Sequence, residues 1–194
     1  MVIETTFVLS AASAGDFPRD GLAELALVGR SNVGKSSLIN ALVRRRIART
    51  SAAPGKTRLA NVYRVTPGGG EPFYLIDLPG YGYARGGGAA ARGFDELTRA
   101  YFGQERLSVS ALLLVDARHP GLEADVQAWQ WLHSTVDNVA IVATKIDKLA
   151  RGERIRALRQ HESVFDRPVQ PVSAVSGEGL EDLWKLIAQR LTSG

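Results

Sequence analysis

Short apolar runs alternate along the chain with stretches whose apolar residues recur every three or four positions. Residues 23–28, 59–65, 72–77, 111–115, 139–143 and 169–172 are runs of aliphatic, β-branched or aromatic side chains bounded by turn formers, and read as strands. Leu38, Ile39, Leu42 and Val43 keep helical spacing, as do Phe94, Leu97, Tyr101 and Phe102, and again Leu122, Val126, Trp129 and Leu132. Ile155 and Leu158 mark a short basic helix, and Leu180, Leu183, Trp184, Ile187 and Leu191 a last one. TPGGG at 66–70 supplies turn chemistry that joins 59–65 to 72–77 as a hairpin, the one antiparallel pair. Residues 1–9 add an edge strand, DFPRDG at 16–21 is a turn, and the glycine-rich stretch 77–93 lacks any periodicity and reads as a mobile loop. Strands alternating with helices imply an α/β architecture. The expectation is a mixed, six-stranded, mostly parallel sheet with about five helices on its two faces and ligands outside the carboxyl ends of the strands.

Composition narrows this little. At 194 residues the chain suits a single domain over 1–194, with residues 1–22 an N-terminal extension packed on it. Hydrophobic residues make up 45% and charged residues 23%, an ordinary folded balance. The absence of cysteine excludes disulfides, thiolate metal sites and a cysteine nucleophile, and suits a reducing cytoplasm. AASA near the start has the look of a cleavage site, but no Lys or Arg precedes it and Glu4 comes early, so a signal peptide is not expected. No apolar run approaches membrane-spanning length. The net charge of +4 is uneven: residues 44–64 hold Arg44, Arg45, Arg46, Arg49, Lys56, Arg58 and Arg64 and no acid. That stretch is either a solvated basic face or a contact for RNA phosphates.

The chemistry starts at GRSNVGKSS, residues Gly29, Arg30, Ser31, Asn32, Val33, Gly34, Lys35, Ser36 and Ser37. A strand that feeds a glycine-bearing turn into a helix aims several N–H groups and the positive end of the helix dipole at one point, which suits phosphate. Lys35 can reach the outer phosphates and the Ser36 hydroxyl can ligate Mg²⁺. Asp77, Leu78, Pro79 and Gly80 end an apolar strand with an acid in the outer shell of that metal and a backbone N–H for a third phosphate. Taken alone, such a tetrapeptide is as well read as a strand-ending cap. Thr57, within Gly55, Lys56, Thr57, Arg58 and Leu59, stands where a loop threonine would meet the metal and the third phosphate. Thr144, Lys145, Ile146 and Asp147 follow another strand, and the Asp147 carboxylate can accept from guanine N1–H and N2–H₂, whereas adenine offers no matching donors. The alternative for this tetrapeptide is a helix N-cap. Val172, Ser173 and Ala174 can present a backbone N–H to guanine O6.

These stretches, in this order, resemble the EngB family of ribosome-assembly GTPases within the translation-factor-like P-loop class. GRSNVGKSSLINAL at 29–42, PGKT at 54–57, DLPGYGYA at 77–84, Arg118-His119-Pro120 with Asp125 and Trp131-Leu132, and TKIDK at 144–148 carry the likeness. It implies the three-layer α/β/α P-loop GTPase fold and a monomeric, cytoplasmic protein that binds GTP or GDP with Mg²⁺. It also implies action on the large ribosomal subunit or its precursor and ribosomal RNA, with an association with cell division and septation. Two departures stand out: GGGAAA at 86–91 replaces more polar residues, and Phe94 stands where Trp is common.

Hydrolysis of GTP rests on positioned charge, here Lys35, the metal on Ser36 and Thr57, and the amides of the loop and Gly80. The residue after Gly80 is Tyr81, not a water-orienting glutamine, so turnover should be slow unless a ribosomal partner or a K⁺ held near Asn32 assists. A binding module in which GTP gates RNA contact and hydrolysis is secondary is the second reading; an ATPase or nucleotide kinase is disfavoured by Asp147. His119 either lines the nucleotide side or satisfies its loop. His133 and His161, near helix ends, read as solvated, and Trp129, Trp131 and Trp184 as core.

Overall fold

The structure, a computed structural model, describes residues 2–48, 59–82, 94–104 and 109–192. Gly55, Lys56, Thr57 and Arg58 fall outside the described residues, as does most of the expected loop at 77–93. Strand β1 (Ile3–Ala11) is followed by β2 (Glu24–Gly29), helix α1 (Lys35–Val43), β3 (Ala60–Pro67) and β4 (Phe73–Asp77). Then come α2 (Glu96–Phe102), β5 (Val109–Asp116), α3 (Glu123–Thr135), β6 (Asn138–Thr144), α4 (Arg151–Phe165), β7 (Val169–Pro171) and α5 (Leu180–Thr192).

The sheet has seven strands, in the order β1-β3-β4-β2-β5-β6-β7, not six. The seventh is β1, the edge strand expected over 1–9, which lies antiparallel to β3 from Ile3 opposite Pro67 to Ala11 opposite Ala60 with a bulge between Phe7 and Leu9, so the sheet holds two antiparallel pairs and not one. The hairpin is as expected, with β3 antiparallel to β4. All pairs from β4 through β2, β5 and β6 to β7 are parallel.

Period-two alternation within the strands divides the core into two layers. Leu25, Leu27, Leu75, Leu112, Leu114 and Val142 face α1 and α5, whose Leu38, Ile39, Leu42, Leu183 and Ile187 close on them. Ala26, Val28, Ile76, Leu113, Val115 and Ile141 face the other way, toward Leu97, Tyr101, Trp129, Leu132 and Phe165 of α2, α3 and α4. Trp129 and Trp131 pack in or against the second layer and Trp184 against the first, as expected for core residues. Helix α4 is longer than the short helix expected, at 15 residues. His161 is a correction: it is fully buried, because it shares with Ala157 and Phe165 the i, i+4 stripe that α4 turns inward, and its ring stacks on that of Phe165 at 6.0 Å. His133 is exposed and stacks flat on Trp129.

This order sets one functional edge. Gly29, Asp77, Asp116 and Thr144 end four parallel strands, with Leu27 beside Asp77, Gly29 beside Leu114 and Asp116 beside Thr144 in register.

Candidate functional site

At that edge β2 turns into α1 through residues 29–34. Gly34 has φ +107, a conformation that L side chains rarely adopt, and it leaves the helix start with no side-chain cap, so the first N–H groups stay open to an anion. Asn32 also has positive φ, and its side chain is exposed. Lys35 donates from Nζ to Asp77 Oδ1 at 2.5 Å, so the cation expected on the phosphates and the acid expected near the metal are already paired. Ser36 follows Lys35 in the first turn of α1 and is half-buried, while Ser37 is exposed.

Two side chains from the 144–147 stretch tie it to this loop. Thr144 Oγ1 donates to Val33 O at 2.7 Å, and Lys145 Nζ donates to Asn32 O at 2.6 Å. Lys145 takes a left-handed conformation, φ +61, which turns its stem back across the loop and would otherwise be unfavourable. Asp147 lies just beyond, with Oδ1 accepting from Ser173 Oγ at 2.7 Å. That hydrogen bond, opposed by desolvation and aided by Lys148, holds the Asp147 carboxyl below its usual range, so it is an anion at neutral pH. The Ser173 N–H is taken by Glu178 O at 2.9 Å, which leaves Ala174 to supply the donor expected for guanine O6. Val172 is buried and continues β7 by donating to Ala143 O.

Asp116 is a member of this site that no motif marked. Its buried carboxylate receives Lys145 Nζ at 2.9 Å, and from Arg118 it receives Nε at 2.9 Å, Nη2 at 2.7 Å and the backbone N–H at 3.1 Å. Desolvation works against the charged form, but the donors from Arg118 and Lys145 outweigh it and hold the carboxyl well below the usual range. The signal available in the sequence was an acid closing the apolar run 111–115 with an arginine two residues on. His119 is exposed in that loop and donates its N–H to Asp116 O.

Because the folded carboxyl titrates below the unfolded value of 3.8, its contribution is fully present above that value and is lost as pH falls through the lower folded one. Asp116→Asn is therefore expected to lower stability by about 2 kcal/mol near neutrality. In urea unfolding series the gap from wild type should stay constant above about pH 5 and close below the unfolded carboxyl value. A gap that widens on acidification would contradict this.

Comparison with known proteins fits this geometry. A family model described as 50S ribosome-binding GTPase matches residues 24–145. A probable GTP-binding protein EngB of Symbiobacterium thermophilum is 40% identical over 98% of this chain and 97% of its own, and that of Solibacter usitatus is 42% identical over 97% of each. The chain belongs to the EngB family of GTP-binding proteins. It is accordingly a P-loop GTPase. The crystal structure of a probable GTP-binding protein EngB superposes with TM-score 0.63 at 22% identity, covering 89% of this chain and 100% of that one. Era, in complex with MgGDPNP and nucleotides 1506-1542 of 16S ribosomal RNA, superposes with TM-score 0.72 at 22% identity, over 89% of this chain and 57% of that one, a likeness of fold.

GTPases of this class use Mg²⁺ between protein and phosphates. Among the described residues no three His, Cys, Asp or Glu side chains gather as a metal cage, and the donor set at hand is the Ser36 hydroxyl and the Asp77 carboxylate. That set fits a hard octahedral ion that keeps waters and shares phosphate oxygens. Thr57, the remaining expected ligand, lies outside the described residues.

Within this EngB-family site, the side chains of Arg30 and Tyr81 meet on α3. The Arg30 side chain turns from the phosphate loop to Asp125 of α3, Nε to Oδ1 at 2.9 Å, and Tyr81 donates its hydroxyl to the same oxygen at 2.8 Å. Tyr81 is buried, its ring edge-on to Phe94, which in turn packs on Trp131 at 4.7 Å. Burial raises the Tyr81 phenol far above its ordinary value, with Asp125 adding to the shift, so it is a neutral donor engaged in the core. The readable signal was Asp125 on the apolar stripe of α3, between Leu122 and Trp129 at spacings of three and four.

Proposed function

We propose that this EngB-family chain is a single GTP-binding domain whose GTP-bound form acts on the large ribosomal subunit or its precursor, with a role in cell division and septation following from that work. The observation that carries the reading is the sharing of one sheet edge by Lys35 paired to Asp77 and by the Asp147 anion held on Ser173. Lys145, two residues before Asp147, ties the two together by donating to Asn32 O of the phosphate loop. In this reading the amides of residues 29–37 hold the phosphates, Ser36 and Thr57 ligate Mg²⁺ with Asp77 in its outer shell, and Lys35, Thr57 and Gly80 serve the transfer step. Residues 55–59 and 78–80 flank the nucleotide, and Thr144, Lys145, Ile146, Asp147, Val172, Ser173 and Ala174 surround the base.

The RNA side rests on charge. Arg44, Arg45 and Arg46 are exposed, and among the described residues none of them has a carboxylate partner. They cap the far end of α1, about 13 Å from the phosphate loop for nine residues of helix. Arg44 to Arg46 would supply standing attraction for phosphates, and nucleotide state would gate the contact made by the basic stretch 44–64. The test is sedimentation of the GTP-analogue-bound protein with large-subunit precursors over a salt series. Binding that weakens with salt and with joint replacement of the three arginines by alanine is expected; indifference to both would refute the RNA contact.

Intrinsic turnover is expected to be slow, on the order of 10⁻⁴ to 10⁻³ s⁻¹. The Tyr81 hydroxyl is committed to Asp125 and no glutamine stands beside Gly80. A single-turnover assay in NaCl and in KCl measures it; a rate near 1 s⁻¹ in NaCl without any partner would be incompatible, and a KCl-specific gain that is lost in Asn32→Ala would assign K⁺ to the Asn32 side. The same burial of Tyr81 favours a second reading, in which GTP-gated binding is the main activity and hydrolysis only resets it. Full rescue of a deletion strain by a binding-competent, hydrolysis-dead variant would select that reading.

A further inference from the structure

Past the ends of β2 and β4 the two segments remain zipped together. Ser31 N–H donates to Tyr81 O at 3.0 Å and Tyr81 N–H to Gly29 O at 3.2 Å, with Arg30 and Tyr81 paired as an isolated parallel bridge. Gly80, inside this zip, packs so closely on Ser31 that a Cβ there would stand 3.0 Å from both its N and its Oγ. The side chains of the two bridge residues then converge on one atom, Asp125 Oδ1. Asp125 is 1% exposed, and among the described residues its other oxygen, Oδ2, has no hydrogen-bond partner. A buried carboxylate with half its acceptor capacity unmet is a costly way to fill space that an apolar side chain would fill better. Its one visible employment is to hold the phosphate loop, through Arg30, and the segment after Gly80, through Tyr81, to the same point of α3.

We propose that Asp125 is a positioning residue for nucleotide discrimination: through Tyr81 and Arg30 it fixes the Gly80 backbone against the phosphate loop, and so links occupancy of the third-phosphate position to helix α3. The proposal rests on reading Gly80 as the contact to that phosphate. Loss of the Tyr81 hydroxyl leaves the two-phosphate cradle in place, because Lys35 and the start of α1 are held by Asp77, the loop by Thr144 on Val33, and Arg30 still by Asp125. It frees only the segment that meets the third phosphate, whereas Asp125→Asn also loosens Arg30.

The experiment measures affinities of the full chain for GDP and for a non-hydrolysable GTP analogue, with thermal unfolding alongside, in Tyr81→Phe, Asp125→Asn, the double variant and Gly80→Ala. Tyr81→Phe deletes one hydroxyl from a packed ring, and is the decisive variant should Asp125→Asn fail to fold. It is expected to weaken the analogue about tenfold, the range of a single hydrogen bond to a charged group, and to leave GDP within about twofold. The double variant should be no worse than Asp125→Asn alone, because both act through one contact. Equal weakening of both nucleotides with a lowered melting temperature would make the contact merely structural and overturn the proposal, as would unchanged analogue affinity in Tyr81→Phe. Gly80→Ala separates the two levels. If it weakens the analogue more than GDP while Tyr81→Phe does not, only the role of Asp125 fails; if Gly80→Ala, whose Cβ presses on Ser31 of the phosphate loop, leaves the ratio of analogue to GDP affinity unchanged, the third-phosphate reading fails.

Discussion

Asp147→Asn is expected to lower GDP affinity by roughly 10²- to 10³-fold and to raise XDP affinity above that of the parent chain. The Asp147 carboxylate is held as an anion by Ser173 Oγ at 2.7 Å and has acceptor capacity left for two guanine donors. An asparagine keeps one acceptor but sets its amide N–H₂ against the guanine N2–H₂. One hydrogen bond to a charge is lost and one donor is left facing a donor, together about 3–4 kcal/mol. Xanthine carries a carbonyl in place of the amino group and matches that amide. Calorimetric titration of the variant with GDP and XDP is the check. Unchanged GDP affinity would remove Asp147 from base recognition, whereas loss of both nucleotides without gain of XDP would indicate a disturbed loop. Thermal unfolding would then show the same disturbance.

Lys35→Met is expected to have the largest effect on the phosphate side, and it should show in two separable ways. Without the ammonium, both GTP and GDP should bind on the order of 10²-fold or more weakly, because a charge-assisted contact in a poorly solvated cradle has no substitute. In the ligand-free protein the same change strands Asp77. Lys35 Nζ and Asp77 Oδ1 stand 2.5 Å apart, with side chains 14% and 8% exposed, so removing one partner leaves a carboxylate with little water. The loss of stability should be about 3 kcal/mol in urea unfolding. Adding Asp77→Asn should restore most of that stability, since the orphaned charge is gone, but none of the nucleotide affinity. Recovery of binding in the double variant would mean that Lys35 acts on Asp77 rather than on phosphate.

How far each feature was legible follows from how local its cause is. The phosphate loop and α1 were readable, since strand, glycine turn and helix start are contiguous and Gly34 supplies the left-handed φ at the helix start. The β3–β4 hairpin was readable for the same reason, with its turn residues lying between its strands. The N-terminal edge strand was legible over 1–9, but the count of six left it out of the sheet because its alternation is weak; Phe7 and Val8 are exposed on the outer strand and give it no clear buried face. His161 was misplaced because the helix was read as short, with His161 near its end, whereas α4 continues to Phe165 and its stripe at spacing four turns the ring inward.

By itself the sequence determined most of the elements, their α/β alternation and the five chemical stretches, because hydrophobic period, turn residues and anion-binding geometry act over a few neighbouring residues. What only the tertiary structure decided is where the remaining polar groups find partners. Lys145 meets Asp116 across 29 residues, Tyr81 meets Asp125 across 44, and Arg30 meets Asp125 across 95. A buried charge is stable only beside a matching donor. Which donor comes within 3 Å is set by strand order and register, so Tyr81, an apparent neighbour of the reacting phosphate in sequence, becomes in the fold an anchor on α3.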